Sequence, residues 1–88
     1  MTAVLRHLGL LDDGRRRAAR AAKTHFRALH PGVRVAWTDT AAVEPDRFVV
    51  GVYYGDRRPR DCEFYAVDRT TFAPQRIADS QYVQRGQR

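Results

Sequence analysis

The chain has a single cysteine, Cys62, among its 88 residues. That excludes an internal disulfide, fits a reducing compartment and offers no thiolate framework for a metal. No apolar run approaches the roughly 18 residues a membrane span needs. The N-terminal MTAVLRHLGLL is interrupted by Arg6 and His7 and is followed by no small-residue cleavage site, so it reads poorly as a signal peptide. A glycine-rich phosphate loop, a G-x-S-x-G elbow and an H-E-x-x-H helix are all missing. These absences lead to the expectation of a non-enzymatic cytoplasmic protein with no cofactor, no metal, no membrane contact and no evident small-molecule substrate. A chain of this length makes one domain burying about 60 to 65 percent of its unfolded surface, which leaves one thin core layer and little room for a deep active site.

Lysine is nearly missing too. Fifteen of the sixteen cations are arginine, with Lys23 the exception, and alanine is abundant. GC-rich coding produces that bias without selection for binding, but it does not explain placement. Residues 1–30 hold seven cations and two anions, residues 31–77 hold seven of each, and residues 78–88 hold two cations and one anion. The net charge of +6 therefore sits mainly in the first third.

That third contains RRRAARAAKTHFRALHPG, Arg15 to Gly32. The pattern predicts a helix from Asp12 or Asp13, an aspartate serving as N-cap, to about Leu29, stopped by Pro31-Gly32. Leu11, Ala18, Ala22, His25, Phe26 and Leu29 fall within about 100 degrees of one another and form an apolar stripe. Arg16, Arg20, Lys23 and Arg27 fall within about 60 degrees on the opposite side, a ridge running roughly 16 Å along the axis. Thr2 to Leu8 reads either as a short helical turn ending at Gly9 or as a loose arm.

After the helix the period changes to two. Val33, Val35 and Trp37 alternate with polar or small residues, the DTAAVEPD segment (39–46) reads as a loop, and RFVVGVYYG (47–55) is apolar on both faces, as a central strand would be. DRRP turns into DCEFYAV, DRTT turns again, and FAPQRI gives a short last strand in which Pro74 demands an edge. The fold class is therefore α+β: one long N-terminal helix packed on a three- to four-stranded antiparallel meander, a two-layer sandwich. Residues 1–88 form one domain, with 1–11 an arm or short helix and 78–88 a polar tail.

Strict alternation places Trp37, Phe48, Val50, Val52 and Phe64 under the helix. It leaves Val49, Tyr53, Tyr65 and Val67 on the other face, where a partner or a second copy would bind. The function expected is a small non-enzymatic module working through protein contact, as a homodimer, an inhibitor or an accessory subunit. The alternative is an electrostatic nucleic-acid binder using the ridge Arg16, Arg20, Lys23 and Arg27, with Arg57, Arg58 and Arg60 holding phosphates beside stacking tyrosines. Like-charge neighbours along the ridge, about 0.2 to 0.5 kcal/mol each, make it slightly unfavourable for stability alone.

Other candidates carry less. Cys62 shares parity with Phe64 and Ala66 and is expected in the core. His25 and His30 are five apart on different helix faces and do not make the i, i+4 pair of a helical metal site. Glu44 with Asp46, and Asp56 with Asp61, flank turns. The helix-then-strands order resembles double-stranded-RNA-binding domains, although the lysine-led second helix of that family has no counterpart after Val67. The same order and the stretch FYAVDRTTFAPQRI resemble small bacterial immunity-type and PepSY-like domains. The glycine usual in that family's turn is replaced in the region by Phe72, and no site residue follows from the likeness.

Overall fold

The computed structural model describes residues 14–58 and 60–78. Helix α1 spans Arg15–Leu29 and is followed by β1 (Val35–Val43), β2 (Arg47–Tyr54), β3 (Asp61–Asp68) and β4 (Pro74–Ile77). The strands form one antiparallel sheet in the order β1-β2-β3-β4. Helix and four-stranded meander make the α+β arrangement that the two periods in the sequence imply. Among the described residues no helix is long and apolar enough to cross a membrane.

Gly14, not an aspartate, is the N-cap of α1, with φ 95, and its carbonyl accepts the Ala18 N–H at 2.9 Å. Asp12, Asp13 and Leu11 lie outside the described residues, as do the arm and all of the tail beyond Ala78. At the other end His30 donates its backbone N–H to the Phe26 carbonyl at 2.8 Å, and Pro31 prevents continuation. Ala18, Ala22 and Phe26 are fully buried, and the two alanines, one turn apart, let the helix sit close to the sheet. Leu29, expected on the apolar stripe, is instead 49% exposed.

Beneath the helix lie Phe48, Val50 and Val52 of β2 with Tyr65 and Val67 of β3, all fully buried in one cluster. Burying a side chain of this kind stabilises by about 1.5 to 3 kcal/mol, so these few residues supply most of the drive to fold. The pairings Phe48↔Val67, Val50↔Tyr65 and Val52↔Glu63 put the odd residues of β3 under the helix. Tyr65 and Val67, expected on the far face, are therefore core residues. Phe64, expected in the core, is half-buried on the far face with Cys62 and Ala66.

Strand β1 departs from its pattern twice. It runs to Val43, so Asp39 to Val43 is strand and not loop. Its register slips between Val35 and Trp37 and again between Thr40 and Ala42. A bulge inserts one residue and reverses which side chains face inward. Val35 packs on the helix-side core, whereas Trp37 pairs with Tyr53 on the far face.

Candidate functional site: an aromatic and arginine face beside a buried carboxylate

The far face is built around Gly51. A side chain there would meet Tyr53 Cε1 at 3.2 Å, Cys62 Sγ at 3.3 Å and Phe64 Cε1 at 3.4 Å, so these three groups close over the glycine. Val49, the next far-face residue of β2, is fully buried. Of the four side chains expected to form an exposed apolar platform, Tyr53 alone is both on this face and partly accessible.

Trp37 takes the place that periodicity gave to Tyr65 and Val67. Its ring stacks on Tyr53 with centroids 4.8 Å apart and planes 17° apart, and it remains 48% exposed. Aromatic pairs at such spacing contribute about 0.5 to 1.5 kcal/mol beyond their buried area. The Arg60 guanidinium lies 5.5 Å from the Trp37 ring centroid, within cation–π range, and its Nη1 donates to the Gly55 carbonyl. A hollow of about 280 Å³ opens beside the stack between Arg34, Trp37, Asp56 and Arg60. The only tryptophan of the chain thus stands at a sheet edge, flanked by arginines. The signal that could have found it was its rarity; its facing could not be read past a bulge.

Arg16, Arg20, Lys23 and Arg27 all lie on α1, and the first three flank β1 at Thr38 rather than facing directly away from the sheet. Arg16, Arg20 and Arg27 are exposed and Lys23 is half-buried, with a shallow groove of about 270 Å³ between the ridge and Thr38 of β1. Arg57, Arg58 and Arg60 are not on that line. They belong to the β2–β3 turn, where Arg57 and Arg58 are exposed. The structure therefore groups Arg60 with Trp37 and leaves the ridge to the helix.

A third constellation went unread in the sequence. Glu63 is only 7% exposed, under the C-terminal end of α1. His30 Nε2 lies 3.1 Å from both of its carboxylate oxygens, Tyr65 donates its hydroxyl to Oε1 at 2.9 Å, and Arg76 Nε is 3.3 Å from Oε1. Tyr54 stacks on His30 with centroids 6.2 Å apart and meets Phe26 at 4.9 Å with the rings tilted by 43°. Burial, and then the hydrogen bond and negative charge of Glu63, push the Tyr65 phenol well above its ordinary pKa. Burial first and Glu63 second raise Tyr54 as well. A proton is thus held firmly on Tyr65, which suits a permanent donor to Glu63 and not a group that exchanges protons near neutrality. The cluster fastens the helix end to β3 and β4.

The remaining polar candidates are turn fittings. Arg47 Nε donates to Glu44 Oε1 at 2.6 Å, and Arg69 donates to the Glu44 carbonyl at 2.9 Å while its guanidinium sits 4.9 Å from the Phe48 ring centroid. His25 lies edge-on to Tyr65 at 5.7 Å. Among the described residues no three His, Cys, Asp or Glu side chains gather into a metal site. Asp68 Oδ1 accepts the Thr70 and Thr71 N–H groups at 2.7 and 2.9 Å, and those two bonds hold its pKa below the usual carboxylate value. Comparison with protein families, with curated proteins and with solved structures gave no match to this chain.

Proposed function

We propose that this is a small non-enzymatic cytoplasmic binding module that works through protein–protein contact, with Trp37 at the centre of the contact and Tyr53 and Arg60 beside it. The half-exposed Trp37, fixed by its stack on Tyr53, is the observation that carries the reading. Tryptophan, tyrosine and arginine are the residues that dominate interface energetics, because a rigid aromatic loses little entropy on binding. The stack orders Trp37 in advance, so less freedom is lost when a partner covers it. A net charge of +6 disfavours self-association and favours an acidic partner. Trp37→Ala should abolish capture of a stoichiometric acidic protein from the native cytoplasm, while a dimer by light scattering that Trp37→Ala dissolves would turn the partner into a second copy.

The exposed row Arg16, Arg20 and Arg27, with Lys23, supports a second reading as an electrostatic nucleic-acid contact. Four phosphate contacts would give log affinity against log salt a slope of about −3 to −4. Arg20→Ala/Arg27→Ala should flatten it by about two contacts' worth. Absence of binding to duplex and single strands at about 50 mM salt would remove this reading.

A further inference from the structure

A groove of about 520 Å³ runs between α1 and the β3–β4 turn, on the helix side of the sheet and away from Trp37. That is within the range of about 300 to 1,000 Å³ usual for small-ligand sites. It is open because Ala21 and Ala28 offer only methyl groups along this flank of the helix, while Phe72 and Pro74 form the opposite wall. Among the described residues its charged side chains are Arg17 and Arg20, and no carboxylate lines it.

Two features hold this groove in shape. Phe72 adopts φ 60, a left-handed conformation that costs a non-glycine residue about 1 to 2 kcal/mol. Its ring is pinned there by stacking on Phe48 at 6.4 Å and by contact with Gly14, whose added Cβ would lie 3.0 Å from Phe72 Cζ. The Arg17 guanidinium rests 4.2 Å from the Phe72 ring centroid, which keeps a planar cation at the groove wall. An apolar wall with an ordered guanidinium beside it, and a second arginine one turn on, matches a ligand that is apolar at one end and anionic at the other.

We infer that this groove is a binding site for a small amphipathic anion, an apolar body carrying one carboxylate or phosphate. The body lies between Ala28 and the Phe72–Pro74 wall, and the anion is held by Arg17 and Arg20. The site shares no residue with the Trp37 surface, so either reading can fail without the other.

Phenylacetate is a suitable probe, titrated into the full-length protein while the amide and aromatic NMR signals are followed. Saturable shifts centred on Thr24, His25, Thr71 and Phe72 are expected, with a Kd on the order of millimolar for so small a ligand. Arg20→Gln should weaken binding by about tenfold, and Ala28→Met, an exposed position, should fill the groove and abolish it. Benzyl alcohol and benzylamine, which share the ring and lack the anion, should give no saturable shift. The proposal is overturned if phenylacetate shows no saturation at tens of millimolar, about ten times the expected Kd. Equal binding of benzyl alcohol, or unchanged binding in folded Ala28→Met, would overturn it as well.

Discussion

The hydroxyl of Tyr65 donates to Glu63 Oε1 at 2.9 Å, two residues back along the same strand face and beneath the end of the helix. That bond, with His30 and Arg76 on the same carboxylate, explains how a charged residue occupies a core position. A buried charge is tolerated when it is paired and hydrogen-bonded, and costs heavily when one partner is removed.

Tyr65→Phe should therefore destabilise the fold by about 1 kcal/mol, the net worth of one hydrogen bond. Glu63→Ala should cost about 2 to 4 kcal/mol, because it strands the Tyr65 hydroxyl and opens space under the helix. Urea unfolding followed by far-ultraviolet circular dichroism measures both. Equal stability of wild type and Glu63→Ala would mean that the cluster does not anchor α1.

Stability should also fall in alkali. The folded pKa of Tyr65 and that of Tyr54 are raised, so each phenol contributes stability that is complete below its unfolded value of 10.0 and is lost as pH rises through the folded value. The ultraviolet absorbance of phenolate should show two tyrosines ionising late, together with unfolding, and Tyr65→Phe should remove one of them. Asp68 has the opposite sign. Its depressed pKa means its contribution is present above the unfolded value of 3.8 and lost as pH falls through the folded value, loosening the β3–β4 turn in acid.

At Phe72 the usual order of glycine and alanine should invert. Both substitutions lose the ring that packs on Phe48 and Gly14, but glycine adopts φ 60 without strain and alanine does not. Phe72→Ala should thus be less stable than Phe72→Gly by about 1 kcal/mol. Thermal unfolding of the pair is the check, and a more stable alanine variant would place the backbone elsewhere. Nothing in DRTTF signals a left-handed backbone at Phe72, because the packing on Phe48 and Gly14 that holds it comes from far away in the chain.

The helix, the meander and the strand centres were readable because one helix stripe and one two-sided β run leave few ways to pack 88 residues. Facing was not. On β3 both sets of alternate residues, Cys62, Phe64, Ala66 and Glu63, Tyr65, Val67, contain large apolar groups, and Glu63 argued for the wrong set because its partners come from His30 and Arg76, far away in the chain. On β1 the slip between Val35 and Trp37 reverses the facing from Trp37 to Thr40, the slip between Thr40 and Ala42 restores it, and no residue in VAWT announces a bulge. Tyr65 and Val67 left the candidate surface for the first reason, and Trp37 entered it for the second.

The surface that results should separate binding from folding. Trp37 is half-exposed, so Trp37→Ala should cost about 1 to 3 kcal/mol for the stack and the buried half of the ring and leave the protein folded, whereas Tyr65→Glu should unfold it. Circular dichroism distinguishes the two variants directly.

The most direct test of the protein-contact reading is quantitative affinity capture from the native cytoplasm with tagged wild type, Trp37→Ala and Arg20→Ala/Arg27→Ala, each first shown to be folded. The account predicts one stoichiometric acidic protein with wild type and with the ridge variant, and its loss with Trp37→Ala. Capture unaffected by Trp37→Ala, or a wild type that is monomeric and brings down no stoichiometric partner, would contradict it.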